Sequence, residues 1–406
     1  MIEIIIFYAI MLKSKNKREL MKENKKLFYY IKNWKEKIVA TSLIATFVLS
    51  ILYTFMIFDG SDSLLQYITQ NVTSVESRDL EVGIDEVDGY HYIKNNDDNQ
   101  PIKVLQLTDI HLTLSYFTLA RDKKSVDDIV TMVNNVKPDV IVITGDFLMP
   151  FLWSFDTKKA SRAIGELFNR LQIPFAITYG NHDAEPVSNQ TKSQLSDYFE
   201  SLEYSLFQRG PQHISGQGNY IVKLLSATGE LSSALLMMDS HGYVEIKSYD
   251  NIKQNQIDWY TTEVAKLKNN ANQIVPTHLY FHIPLYEYRE ALSLYEQQDE
   301  QVEYFFGQFG DKRVASSNKK SGLFEAILAL GSTKTISVGH DHTHNFSFLY
   351  QGVRLTYGMS MDYTVYPGIS KSTAQRGGTL TQISTLDSSF QIYQVPQDNH
   401  YMPLYA

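Results

Sequence analysis

From Pro101 onward the chain alternates between short β-branched or apolar runs and longer stretches in which apolar residues recur every three or four positions. The runs VLQLT (104–108), DVIVITG (139–145), PFAITYG (174–180), ALLMMDS (234–240), THLYFHI (277–283) and TKTISVGH (333–340) predict strands. Ser125–Val136, Lys158–Leu171, Gln194–Leu202, Ile252–Lys268 and Leu323–Leu330 predict amphipathic helices. Strand followed by helix, repeated, is the pattern of an α/β domain whose sheet is buried between helical layers. After Gly352 the helical period stops, and VRLTYGM (353–359), GTLTQIS (378–384) and FQIYQV (390–395) read as closing antiparallel strands. The domain so defined runs over 101–395, with a short tail at 396–406. Two stretches lack a clear period. Residues 59–100 are polar and acidic and read as a tether with one strand near Tyr90–Lys94; the Gln- and Glu-rich 286–317 reads as an insertion or lid. No internal repeat is visible.

The one long apolar run is Ile38 to Phe58, 21 residues without a charge, against the roughly 20 that cross a bilayer of about 30 Å. Ten basic and four acidic side chains precede it in 1–37, a net +6, which leaves −14 for the rest of a chain whose total is −8. The positive-inside bias therefore predicts a cytoplasmic segment 1–37, a transmembrane anchor 38–58 and an extracellular remainder on a single-pass cell-membrane protein. A cleaved signal peptide is the rival reading, but no A-x-A-like site follows the run. The acidic remainder excludes a nucleic-acid binder driven by phosphate neutralisation. There are no cysteines, so disulfides, thiolate metal sites and thiol nucleophiles are excluded together, and any metal must be held by His, Asp, Glu or Asn.

Residues of that kind sit repeatedly at the C-terminal ends of predicted strands, where α/β sheets place their ligand crevices. They are Asp109-Ile110-His111, Gly145-Asp146, Gly180-Asn181-His182-Asp183, His282, and Gly339-His340-Asp341-His342. Each has a bland reading: Gly-Asp is a common turn, Asn-His-Asp can cap a helix, and a lone His on a strand is more often a core residue. Five such strand ends together resist it, because burying carboxylates and imidazoles without partners is costly.

The ordered set D-x-H, G-D, G-N-H-D, H and G-H-x-H resembles the calcineurin-like metallophosphoesterase superfamily over about 101–385. Phe281-His282-Ile283-Pro284-Leu285 with Glu287-Tyr288, Met238-Asp239-Ser240 and Arg376-Gly377-Gly378 are similar to the bacterial and plant purple-acid-phosphatase-like branch. The resemblance implies a four-layer α-β-β-α sandwich and two divalent ions (Mn, Fe or Zn) bridged by Asp146 and a water or hydroxide. Asp109, His111 and His342 would complete one ion site, and Asn181, His282 and His340 the other. Purple acid phosphatases proper carry Tyr three residues after the Gly-Asp carboxylate; here that position is Met149, so no tyrosinate–iron colour is expected. The resemblance implies a hydrolase acting on phosphomonoesters or phosphodiesters. His182 is expected to act without binding metal, donating to a phosphate oxygen or protonating the leaving alkoxide. Asp183 either orients His182 or caps a helix. In G-H-D-H-T-H a shifted register, His342 with His344, stays open, while His278 reads as structural and His241 as either pocket or loop. Two other functions compete: a non-catalytic metal-binding surface receptor or adhesin on the same fold, and an enzyme whose substrate is a lipid head group or nucleotide.

Overall fold

The computed structural model describes residues 17–57, 60–149, 157–185, 190–245, 248–310, 313–366 and 376–397. The chain divides into two units between residues 58 and 59.

In the first unit Lys17–Ile57 is one continuous helix of 41 residues. Its apolar side chains from Ile38 to Ile51 are exposed, and Thr41, Thr46 and Ser50 each donate a hydroxyl to the carbonyl four residues back at 2.8 Å. Among the described residues no helix is long and apolar enough to cross a membrane, so the span expected over 38–58 is not borne out. Position 58 and the side chains at 52 and 54–57 lie outside the described residues, which leaves the described apolar run short of the roughly 20 residues a bilayer requires.

The second unit is built on two main sheets. The smaller has five strands in the order Phe390–Pro396, Gly377–Ile383, Ile102–Leu107, Val140–Thr144, Phe175–Thr178, the last three parallel. The larger has nine, in the order Leu80–Ile84, His91–Asn95, Tyr220–Leu225, Leu231–Met237, Thr277–Tyr280, Thr333–Val338, Val353–Tyr357, Ser347–Tyr350, Val302–Phe306. Leu231–Met237, Thr277–Tyr280, Thr333–Val338 and Val353–Tyr357 run parallel.

Side chains along the larger sheet alternate between two cores, as the two-residue period of a strand requires. Tyr220, Val222, Leu224, Leu235 and Met237 pack with the smaller sheet and with Ile68, Ile129, Val133, Ile164 and Phe168 from helices Ser61–Asn71, Leu119–Val136 and Thr157–Leu171. Ile221, Ala234, Leu236 and Leu279 pack with Ile257, Tyr260, Tyr288, Leu292, Phe324 and Ile327 from helices Gln254–Val264, Tyr286–Glu296 and Leu323–Leu330. Helices, small sheet, large sheet and helices thus succeed one another.

Two expectations are corrected. Residues 60–100 are no tether. Leu64, Ile68 and Val72 recur every fourth residue on helix Ser61–Asn71 and its cap and are fully buried, and Leu80–Ile84 and His91–Asn95 form the edge of the large sheet. Few apolar residues betray this, because a helix covering a sheet needs one stripe and an edge strand buries little; in His91–Asn95 only Ile93 and Asn95 are buried. The proposed insertion at 286–317 contains helix Tyr286–Glu296 and the other edge strand, Val302–Phe306, and so belongs to the fold. Of the expected tail, 398–406 lie outside the described residues, as do 1–16 of the expected basic segment.

Candidate metal centre

The parallel strands of both sheets deliver their ends to one place. Ile102–Leu107 leads to Asp109 and His111, Val140–Thr144 to Asp146, Phe175–Thr178 to Asn181, Thr277–Tyr280 to His282, and Thr333–Val338 to His340 and His342. The sheets are tied there: the Gln106 amide donates to the Val338 carbonyl (3.0 Å) and the Thr144 hydroxyl (2.8 Å), and the His340 N–H donates to Asp109 Oδ2 (3.0 Å). The approach is close enough to dictate glycine. A Cβ on Gly180 would lie 2.0 Å from Asp146 Oδ1, and one on Gly339 would lie 1.9 Å from the Thr108 hydroxyl. Asp109, His111, Asp146 and His340 have φ of 52°, 49°, 50° and 78°, a left-handed conformation that non-glycine residues adopt at a cost and that collects at functional sites.

Two groups result. Asp109, His111 and His342 bring one ligand atom each to within 4.8 Å of one another, and so do Asp146, His282 and His340. Asp146 Oδ2 lies 3.1 Å from His282 Nε2 and 3.7 Å from His111 Nε2, so one oxygen faces both groups. His111 Nε2 and His342 Nε2 are 3.0 Å apart; His282 Nε2 and His340 Nδ1 are 3.3 Å apart. Two imidazole nitrogens this close can share at most one proton, whereas a cation accepts both lone pairs. Asn181 Oδ1 is buried without a hydrogen-bond partner while its amide nitrogen donates to the Tyr243 hydroxyl at 2.9 Å, which leaves the oxygen as a ready donor. Mixed carboxylate, amide and imidazole donors of this kind fit a pair of divalent ions.

The profile of the calcineurin-like phosphoesterase family matches residues 102–344, the stretch that contains these donors. The chain belongs to this family. It is 30% identical over 301 residues to a protein of Arabidopsis thaliana named probable inactive purple acid phosphatase 29, covering 66% of this chain and 74% of the relative. It is 28% identical over 273 residues to the phosphatase DCR2 of Saccharomyces cerevisiae, covering 61% and 45%. A solved dimetal phosphatase of Danio rerio aligns at 10% identity with a TM-score of 0.44, covering 70% of this chain and 93% of that one.

The electrostatics of this centre follow from buried opposites. Burial alone would raise the Asp109 and Asp146 carboxyls, but the facing imidazoles, His342 for the first and His282 for the second, hold both well below the usual carboxylate range. Burial opposes charge on His282 and His342, yet Asp146 pushes the first up to about 9 and Asp109 pushes the second up to about 10. For His340 burial prevails and lowers the imidazole to about 3. The His282 Nδ1 lies 2.8 Å from the Thr144 carbonyl and the His342 Nδ1 lies 3.1 Å from Asp362 Oδ2. Both acceptors keep the proton on Nδ1 and leave Nε2 aimed inward.

Asp183 does not orient His182, nor does it cap a helix. Its carboxylate accepts the backbone N–H groups of Gly180 (2.7 Å), Asp146 (2.9 Å) and Leu148 (3.0 Å), which ties the second and third strand ends together. The partner of the His182 imidazole is Glu185, with Nδ1 2.6 Å from its Oε1, and the His182 N–H donates to Asp146 Oδ1 at 2.9 Å. The register of the last motif is His340 and His342. His344 turns away to the Arg313 carbonyl at 3.1 Å, His278 pairs with the Thr335 hydroxyl at 3.0 Å, and His241 bonds Gln256 at 2.7 Å. Sequence reasoning missed Glu185, Asp362 and Tyr243. Only Glu185, one helical turn from His182 in sequence, left a local signal; the other two reach the centre through loop and hairpin geometry.

Proposed function

We propose that this chain is a metal-dependent phosphoesterase acting on phosphomonoesters or phosphodiesters. In this reading Asp109, His111 and His342 hold one divalent ion, Asn181, His282 and His340 hold the other, and Asp146 serves both. The observation that carries it is the convergence of seven donors from five strand ends of two sheets. Bound divalent ions would neutralise phosphoryl oxygens and acidify an attacking water. His182 stands at the edge of the centre with Nε2 4.0 Å from Asp146 Oδ2 and with Nδ1 engaged by Glu185. Its Nε2 is thus the nitrogen placed to donate to a phosphate oxygen or to the leaving alkoxide. Burial opposes charge on this imidazole, but Asp146 and Glu185 outweigh burial and raise its pKa.

The test is hydrolysis of p-nitrophenyl phosphate and bis-p-nitrophenyl phosphate by the full-length chain loaded with Mn²⁺, Fe²⁺ or Zn²⁺. Turnover is expected, with loss of activity in Asp146→Asn and a slowing by about 10²–10⁴ in His182→Ala with metal retained. A metal-replete chain that turns over neither substrate would refute the reading. It would favour the rival, a non-catalytic metal-binding surface protein, which the word "inactive" in the name of the plant relative supports. The complete donor set, with His182 beside it, favours the enzyme.

A further inference from the structure

Three tyrosines surround the centre, and each is fixed by a residue that also shapes it. Tyr243 and Tyr249 stand on the hairpin of strands Tyr243–Glu245 and Ser248–Tyr249, with ring centroids 5.4 Å apart. The Tyr243 hydroxyl is held by Asn181, and its ring lies 6.1 Å from that of His182. The Tyr249 ring meets the His340 ring edge-on, 4.4 Å away at 86°. On the other ion group the Tyr366 ring lies 4.8 Å from that of His342, and its N–H donates to Asp362 Oδ2 at 2.6 Å. Tyr243 and Tyr366 keep 47% and 51% of their surface exposed despite this anchoring.

Anchored aromatic rings left half in solvent gain little from the fold. What they offer is flat apolar area, already immobilised, beside the imidazoles of His182, His340 and His342. The phenols are neutral walls, as an ordinary phenol is at pH 7. A small aliphatic alcohol would leave these faces wet; a planar ring would cover them.

Resting on the phosphoesterase reading, we propose that Tyr249 and Tyr366, with Tyr243, form a collar for the leaving group that selects phosphoesters of flat-ringed alcohols, nucleosides foremost, over those of small aliphatic alcohols. Paired probes test it: adenosine 5′-monophosphate and glycerol 2-phosphate, with the full-length Mn²⁺-loaded chain and its Tyr249→Leu and Tyr366→Leu variants. The ratio of kcat/KM for the nucleotide over that for glycerol phosphate is expected to favour the nucleotide. Each substitution is expected to lower that ratio by about 5- to 150-fold, the range for losing one base–aromatic stack, chiefly through KM. Calorimetric binding of the nucleotide to the slowed His182→Ala chain, with and without each tyrosine, reads the collar without turnover. Turnover with a ratio that the substitutions do not change would overturn the collar and leave the phosphoesterase standing. No turnover of either probe, with nucleotide binding that depends on the tyrosines, would overturn the phosphoesterase and leave the collar. Neither turnover nor tyrosine-dependent binding would overturn both.

Discussion

Asp362 offers a sharp test of how the centre is held, because it touches the metal-binding set through one imidazole. Its carboxylate is fully buried. Oδ1 accepts the N–H groups of Thr364 (2.7 Å) and Val365 (2.8 Å), while Oδ2 accepts that of Tyr366 (2.6 Å) and faces His342 Nδ1 (3.1 Å). In Asp362→Asn an amide nitrogen must replace one of these oxygens, and in either orientation two donors then point at a donor. If the nitrogen faces Thr364 and Val365, the loop loses about 1–3 kcal/mol per stranded N–H. If it faces His342, the imidazole loses the acceptor that fixes its tautomer, and such outer partners are worth about 10–100-fold in metal affinity, or about 1.4–2.7 kcal/mol. Even in the first orientation the charge that raises His342 basicity is gone, so weaker metal binding is expected both ways. The assay is Mn²⁺ affinity by competition with a chelator, on protein whose circular dichroism matches the parent. Glu185→Gln is the control, since Glu185 bonds His182 and no expected ligand. Equal Mn²⁺ affinity in folded Asp362→Asn and in the parent would refute the argument that this carboxylate sets His342.

Glu185→Gln should lower kcat/KM less than His182→Ala does and should move the basic limb of the pH–rate profile to lower pH, because one of the carboxylates that raise His182 is removed; an unmoved limb would show that Glu185 does not tune the acid. In the metal-free protein His282 and His342, at about 9 and about 10, are protonated at pH 7, so metal uptake must displace protons and affinity must rise with pH. Calorimetry in buffers of different ionisation enthalpy would detect that release. The same raised pKa values mean that the metal-free chain loses the stability contributed by the two imidazoliums as pH climbs from the ordinary imidazole value near 6.5, the loss being complete once pH passes about 9 to 10. A chelator should lower Tm, since each ion present at a hundred times its Kd stabilises the fold by about 2.7 kcal/mol; an unchanged Tm would argue that no ion is bound.

What could be read in the sequence divides along physical lines. Val140–Thr144 and Phe175–Thr178 are buried throughout and therefore appear as near-continuous apolar runs, and each is followed within three residues, after a glycine, by a polar ligand-type residue. Such strand ends are local signals. Leu80–Ile84, by contrast, is a five-residue edge strand whose alternating Val82 and Ile84 are exposed, so it buries little and the stretch around it reads as a tether. The sequence neighbourhood of Asp183 suggests either a partner of His182 or a helix cap, but adjacent residues on a turn point apart, and its carboxylate is consumed by three backbone donors. Asp362 lies 20 positions after His342 in a loop of no pattern, and no periodicity could have linked them.

The order of causes in this protein runs from the sheets to the centre. Each ion group takes ligands from both sheets: Asp109 and His111 follow a strand of the small sheet and His342 one of the large, while Asp146 follows the small and His282 and His340 the large. Neither sheet alone can complete a group, so an ion bound in either clips the two layers together and its binding energy is folding energy. Packing must first bring the strand ends within bonding distance, and that closeness imposes the left-handed backbone at Asp109, His111, Asp146 and His340 and the bare glycines at 180 and 339. Four strained residues and a cluster of mutually repelling imidazoles would be a poor way to close an ordinary core. In the reading proposed above, a divalent pair would displace the imidazole protons and take up the lone pairs that face one another, which a set of structural hydrogen bonds cannot do.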